Sequence, residues 1–194
     1  LFLLALRSIG FKTRPLAARV LLADETYSAR GHQLTGIEIL GRKWIADVGY
    51  GGNGLIEAIP LEPGLETDQT LDRFRIVLDE DFGFRLEHAL GDGWRTLYAF
   101  SLDPYSSLDY RTMNYFSSQS PDSIFTRIPF CTLPTAEERR ILFGNTLKIR
   151  TPKKQTVIPV ETIEVLRDTL KEWFGLSFPD DFPLPQPQPP PANR

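Results

Sequence analysis

The sequence predicts an α+β fold on three observations. Short runs of β-branched and aromatic residues recur between Thr13 and Leu102, each bounded by Gly, Pro, Asp or Asn, which is the pattern of an antiparallel barrel or sandwich. Glu161 to Gly175 repeats apolar residues at helical spacing, through Ile163, Leu166, Leu170 and Trp173-Phe174, and stops on glycine. Leu1 to Phe11, with Leu3, Leu4, Leu6 and Ile9 apolar ahead of Gly10, reads as the end of an amphipathic helix.

The whole chain sets limits on function. Its 194 residues hold one good-sized core or two small ones. A net charge of −3 argues against a nucleic-acid binder, which would show a basic face. One cysteine, Cys131, excludes an internal disulfide and suits a reducing, cytoplasmic setting. With only two histidines, His32 and His88, no metal site is indicated. The longest apolar run, Leu1 to Leu6, is too short to span a bilayer, so no membrane partner is expected. That run also lacks the basic start and cleavage site of a signal peptide.

After the first helix, Thr13 to Ala23 forms a strand and Asp24 to Ala29 a polar link. The next stretch organises the chain. Leu34 to Leu40 alternates apolar and polar residues as a half-buried strand does. Gly41-Arg42 supplies a type II′ turn and Lys43 to Val48 returns. His32 precedes the outgoing strand and Asp47 closes the return, so both sit at the open end of one hairpin. A carboxylate there fixes the tautomer of the imidazole and stabilises the imidazolium formed when it acts as a base. The run Gly49-Tyr50-Gly51-Gly52-Asn53-Gly54 follows, letting the backbone bend sharply and present N–H groups to an anion.

Ile56 to Leu61 leads away, broken by Pro60 and Pro63-Gly64. Strands are expected at Phe74 to Leu78, Phe84 to Leu90 and Trp94 to Leu102, with a turn at Asp79 to Gly83. His88 lies inside the second of these and reads as a surface or packing residue. Asp103-Pro104 signals a helix running to about Ser117, with Leu108, Met113 and Phe116 inward. Cys131 lies between the strand-like I-F-T-R-I-P-F and a turn, with no cationic neighbour or helix start to lower its pKa, so it reads as structural. Leu142 to Ile149 and Thr156 to Val160 are further strands. From Phe182 onward, P-L-P-Q-P-Q-P-P-P reads as a solvated polyproline II end, with an SH3-type ligand as the other possibility.

His32, the hairpin and W-I-A-D-V-G-Y-G-G resemble the arylamine N-acetyltransferase family, in which a His opening one strand and an Asp in D-x-G-F/Y-G belong to a cysteine–histidine–aspartate triad. The L-F-x-x-A-L-x-x-I-G-F pattern of Leu1 to Phe11, M-N-x-Y-x-x-x-S-P-x-S-x-F around Asn114 to Phe125, and F-C-T-L around Cys131 are similar to family segments as well. Gly31 stands where relatives usually have Thr.

The resemblance implies the end of a catalytic helix (1–14), an antiparallel β-barrel domain (15–102) and an α/β lid domain with a C-terminal helix (103–178), with the triad arranged as in cysteine proteases. A Pro-rich disordered tail (179–194) follows. It implies acetyl-CoA as acyl donor and an arylamine, arylhydroxylamine or hydrazine as acceptor, as in xenobiotic metabolism. His32 and Asp47 are the expected catalytic residues. Gly51, Gly52, Phe116, Ser123 and Phe125 are the expected coenzyme A contacts, and Tyr50 the acceptor wall. The family's nucleophilic cysteine lies in R-G-G-x-C-F-E, a few residues ahead of the position matching Leu1, and is not among these residues. The chain is therefore expected to be a fragment, inactive without that segment. Two alternatives stay open: a catalytically inactive CoA- or ligand-binding remnant of that family, and a β-barrel interaction module using the proline tail.

Overall fold

The structure is a computed structural model and describes residues 1–190. The chain divides into two compact units, Leu1–Asn114 and Tyr115–Arg194.

In the first unit, α1 (Phe2–Ser8) leads into an eight-stranded antiparallel sheet. Its strands are β1 (Lys12–Val20), β2 (His32–Ile39), β3 (Arg42–Ala46), β4 (Ile59–Pro60), β5 (Glu66–Gln69), β6 (Asp72–Asp79), β7 (Gly83–Leu90) and β8 (Gly93–Phe100). They lie in the order β4-β3-β2-β1-β8-β7-β6-β5, a nearly closed barrel. Alternation along the strands turns Leu16, Leu34, Ile45, Phe74, Ile76, Leu86, Tyr98 and Phe100 inward as one core. The two sheet edges are tied by Gln69, a buried residue of β5. Its Oε1 accepts from the Ile56 and Glu57 N–H groups, and its Nε2 donates to the Glu57 carbonyl, just ahead of β4. One amide thus satisfies three backbone groups that an open edge leaves unpaired.

Two expectations for this unit are corrected. The hairpin turn is Leu40-Gly41, because Ile39 pairs with Arg42. Both turn residues have positive φ, 50° and 78°, which is the type I′ signature and not type II′. Ladder pairing across β2 and β3 therefore overrides the reluctance of Leu40 to enter that region. The polar β5 was not anticipated at all.

Helix α2 (Ser107–Gln119) starts later than Asp103-Pro104 suggests. A reciprocal cap sets its start, with the Ser106 N–H donating to Asp109 Oδ2 and the Asp109 N–H to Ser106 Oγ. None of its residues is buried, and Leu108 and Phe116, expected inward, are exposed.

The second unit contains a four-stranded antiparallel sheet, β9 (Phe130–Pro134), β10 (Arg139–Phe143), β11 (Thr146–Arg150) and β12 (Gln155–Pro159), with α3 (Ile163–Phe174). Thr162 caps α3 through its side chain and Gly175 ends it. Leu142, Leu147, Val160, Leu166 and Leu170 form its core. The single strand expected over Leu142 to Ile149 is two strands joined at Gly144-Asn145, since Phe143 pairs with Thr146. The I-F-T of the expected strand before Cys131 is instead a 3-10 turn, Ile124–Thr126.

The tail expected to be disordered is held against this unit as far as it is described. Arg167 donates to the carbonyls of Pro179, Asp180 and Phe182 at 2.9, 2.9 and 2.8 Å. Phe178 stacks on Phe182, Leu184 packs against the core, and Gln188 Nε2 donates to the Arg127 carbonyl. A polyproline backbone leaves its carbonyls unpaired, and a guanidinium fork made only of donors satisfies several at once. Residues 191–194 lie outside the described residues.

Candidate active site

The open end of the β2–β3 hairpin brings the expected base and its carboxylate together. His32 begins β2 opposite Ala18 of β1, and Asp47 follows directly on Ala46, the last residue of β3. This brings His32 Nε2 to 2.6 Å from Asp47 Oδ2. The Asp47 side chain is fully buried, while His32 keeps 13% of its side-chain surface. The second Asp47 oxygen accepts from the Gly49 and Tyr50 N–H groups at 3.0 and 3.1 Å.

Burial pushes the Asp47 carboxyl upward. The hydrogen bond and charge of His32, with help from the Gly49 N–H and the Tyr98 hydroxyl, outweigh burial and hold it below its ordinary value of 3.8. An ionised carboxylate only accepts, so His32 Nε2–H donates and Nδ1 carries the basic lone pair. Among the described residues, no group hydrogen-bonds Nδ1.

Two tyrosines wall the imidazole. The Tyr50 ring meets it edge-on at 5.7 Å and the Tyr98 ring lies at 5.3 Å. Tyr98 is completely buried, and burial beside Asp47 pushes its phenol well above the usual range. Its hydroxyl faces Asp47 without reaching strict hydrogen-bond geometry with any group. Burial also pushes Tyr50 up to about 12, so both rings stay neutral at physiological pH. Tyr98 was missed by sequence reasoning: it sits in T-L-Y-A-F, expected only as part of the Trp94 to Leu102 strand, and reaches the site because β8 pairs with β1 at Val20.

The glycine run closes the site. Gly51 and Gly52 both take positive φ, 66° and 50°, which glycine enters at least cost. At Gly54 a Cβ would lie 2.8 Å from the Tyr50 ring and 2.9 Å from the Gly51 carbonyl, so a side chain there would displace the tyrosine wall. His32, Asp47 and Tyr50 are in mutual contact in the first unit, where Gly51 and Gly52 also belong. Phe116, Ser123 and Phe125 belong to the second. There Phe116 and Phe125 are exposed, with Phe125 against Phe130 at 5.9 Å. Ser123 is buried, and its Oγ donates to the Ser117 carbonyl.

The other candidates fall away from this chemistry. Cys131 is half-buried within β9, less enclosed than a core thiol, and burial raises its pKa, the reverse of what activates a nucleophile. His88 is packed as expected, but with a partner: its Nε2 is 2.6 Å from Asp72 Oδ1, and its ring is against Phe74. Among the described residues, no three His, Cys, Asp or Glu side chains gather as metal ligands would. No helix among them is long and apolar enough to cross a membrane.

The Asp47 environment predicts an acid-dependent stability. Its folded pKa lies below 3.8, so the unfolded chain binds the proton more readily. The stabilisation is complete well above 3.8 and is lost as pH falls through the folded value. Asp47→Asn should be less stable by about 2 kcal/mol near neutrality, measured by urea unfolding. That difference should shrink as the pH falls below about 4. A difference that stays constant into acid would contradict the assignment of the depressed carboxyl to Asp47.

The chain thus pairs a near-closed antiparallel barrel, with a His–carboxylate dyad at a hairpin mouth, with a sheet-and-helix unit later in the sequence. A sequence model described as N-acetyltransferase matches residues 1–182. The chain is 31% identical to arylamine N-acetyltransferase 2 of Mus musculus, over 90% of this chain and 68% of that protein. It is 28% identical to the Mycobacterium bovis arylamine N-acetyltransferase, over 90% of this chain and 63% of that one. Two solved structures superimpose closely. The Salmonella typhimurium arylamine N-acetyltransferase has TM-score 0.82 and 26% identity, covering 93% of this chain and 66% of that one. The Mycobacterium marinum enzyme in complex with CoA has TM-score 0.83 and 27% identity, covering 90% and 66%. The chain belongs to the arylamine N-acetyltransferase family. It spans a little under two thirds of the length of the mycobacterial relative.

Proposed function

We propose that the protein serves acetyl-CoA-dependent transfer of an acetyl group to the nitrogen of arylamines, arylhydroxylamines or hydrazines, by a ping-pong relay through a thiol. The observation that carries this reading is the 2.6 Å contact of His32 Nε2 with a buried, ionised Asp47, which leaves Nδ1 as the base. In the first half-reaction Nδ1 takes the thiol proton and the thiolate attacks the thioester carbonyl. The acetyl group passes to the cysteine, and CoA leaves as its thiol with the proton from His32. In the second, the amine nitrogen attacks the acetyl-cysteine, Nδ1 accepts its proton, and the enzyme thiol is regenerated. Asp47 holds the tautomer and stabilises the imidazolium in both.

Residues 15–102 then carry the base and its orienter, and 103–178 the nucleotide side. Tyr50, edge-on to His32, forms an aromatic wall for an aryl acceptor. Gly51 and Gly52 let pantetheine and pyrophosphate approach the backbone. Phe116 and Phe125 offer exposed rings for stacking. Ser123, its hydroxyl proton committed to Ser117, acts by shaping the turn or by accepting. The thiol comes from outside residues 1–194, because Cys131 has a raised pKa and no activating neighbour. The raised Cys131 pKa fits a second reading as well, a ligand-binding relative without turnover. The test joins an R-G-G-x-C-F-E segment ahead of Leu1 and follows acetyl-CoA consumption with an arylamine acceptor. Amine-dependent CoA release is expected. CoA binding with no turnover in a folded protein would favour the second reading, and neither binding nor turnover would overturn both.

A further inference from the structure

We propose that the proline-rich tail is a strap that positions a row of aromatic rings in the second unit for the base of a nucleotide, with Gln188 as the positioning residue. The inference rests on the coenzyme A reading above and extends it to Phe130, Phe143 and the tail. Phe125 meets Phe130 at 5.9 Å, and Phe130 meets Phe143 edge-on at 5.6 Å. Phe130 and Phe143 are partners across β9 and β10, so their rings share one face of the sheet. Phe125 is 60% exposed and Phe130 39%. Rings held in a row with apolar surface in water offer a base something to stack on.

The backbone that carries this row meets the tail at one junction. Gln188 Nε2 donates to the Arg127 carbonyl at 3.0 Å, two residues after Phe125. The Gly144 N–H donates to the Pro129 carbonyl at 2.9 Å, joining the residue after Phe143 to the residue before Phe130. A Cβ at Gly144 would collide with the Gln188 carbonyl and come within 3.1 Å of Pro190 Cδ, so the bare glycine is what admits the strap. Each ring thus stands within two residues of a backbone group at the junction. The strap arrives from a firm anchor: Leu184 packs against the core, and Arg167 holds three carbonyls ahead of it. From Leu184 to Gln188 a polyproline backbone spans about 12 Å. Pro187 and Pro189 fix φ on either side of Gln188 and bring no N–H. Its amide therefore meets Arg127 with little freedom left to lose.

The test uses the full chain, with CoA as the probe. Amide hydrogen exchange followed by NMR reads the junction, and calorimetric titration reads the nucleotide. Gln188→Met keeps length and charge but cannot donate. In it the Arg127, Ile128 and Gly144 amides should exchange about fivefold faster, the worth of one such bond. The Leu166 and Leu170 amides of α3 should not change, which separates positioning from a general loss of stability. CoA should bind about threefold more weakly to this variant, and roughly tenfold more weakly to Gly144→Ala, where the strap is excluded and a stacked base loses its platform. The double variant should bind no more weakly than Gly144→Ala, because both changes act through one junction. Gln188 is exposed, so Gln188→Met keeps its core even if Gly144→Ala does not fold. Unchanged exchange at the junction would overturn the strap. Faster exchange with unchanged CoA affinity, or effects that add in the double variant, would overturn its role in binding. An unaltered chain that binds no CoA would fail the coenzyme A reading itself, and the role of the row with it.

Discussion

Replacing His32 with alanine, in a polypeptide that carries the thiol segment, should lower acetyl transfer by about a thousandfold. The loss should fall on kcat, because the imidazole moves protons and holds no part of either substrate. The fold should survive, since His32 keeps some exposure and its ring fills no part of the main core. The buried Asp47 then loses its partner but retains the Gly49 and Tyr50 N–H groups. Stopped-flow measurement of CoA release in the absence of acceptor isolates the first half-reaction. A variant that acetylates its thiol at the wild-type rate would remove His32 from the mechanism.

The second large effect concerns Cys131. The polypeptide Leu1–Arg194 alone should show no amine-dependent turnover, because its one thiol has a raised pKa and lies in a sheet strand. With the thiol segment attached, Cys131→Ser should retain turnover within about threefold, while serine in place of the added cysteine should abolish it by about a thousandfold or more. Mass spectrometry after mixing with acetyl-CoA locates the acetyl group. Acetylation of Cys131 with matching turnover by Leu1–Arg194 would assign the nucleophile to the wrong residue here.

The parts of this site that sequence revealed are those set by local pattern. Alternation over Leu34 to Leu40 and Lys43 to Val48 fixes a hairpin, and a hairpin places its two ends together, so His32 and Asp47 could be paired without coordinates. The turn was misplaced by one residue because Leu40 enters positive φ against its own preference, under the constraint of strand pairing. Tyr98 needed the contact of β1 with β8, more than 70 positions apart at Val20 and Tyr98, which no local pattern encodes. The polar β5 has no alternation to read, yet Gln69 makes it a closing element through side-chain bonds. Proline content suggested a free tail, because composition cannot show that Arg167 stands where three carbonyls pass.

The central claim is that Asp47 holds His32 with the proton on Nε2 and leaves Nδ1 as the base. Long-range ¹H–¹⁵N correlation of the His32 ring, recorded on its neutral form, reads the tautomer directly. The claim requires a protonated Nε2 and a bare Nδ1, and in Asp47→Asn that preference should weaken. A ring protonated on Nδ1, or a tautomer indifferent to Asp47→Asn, would contradict the account.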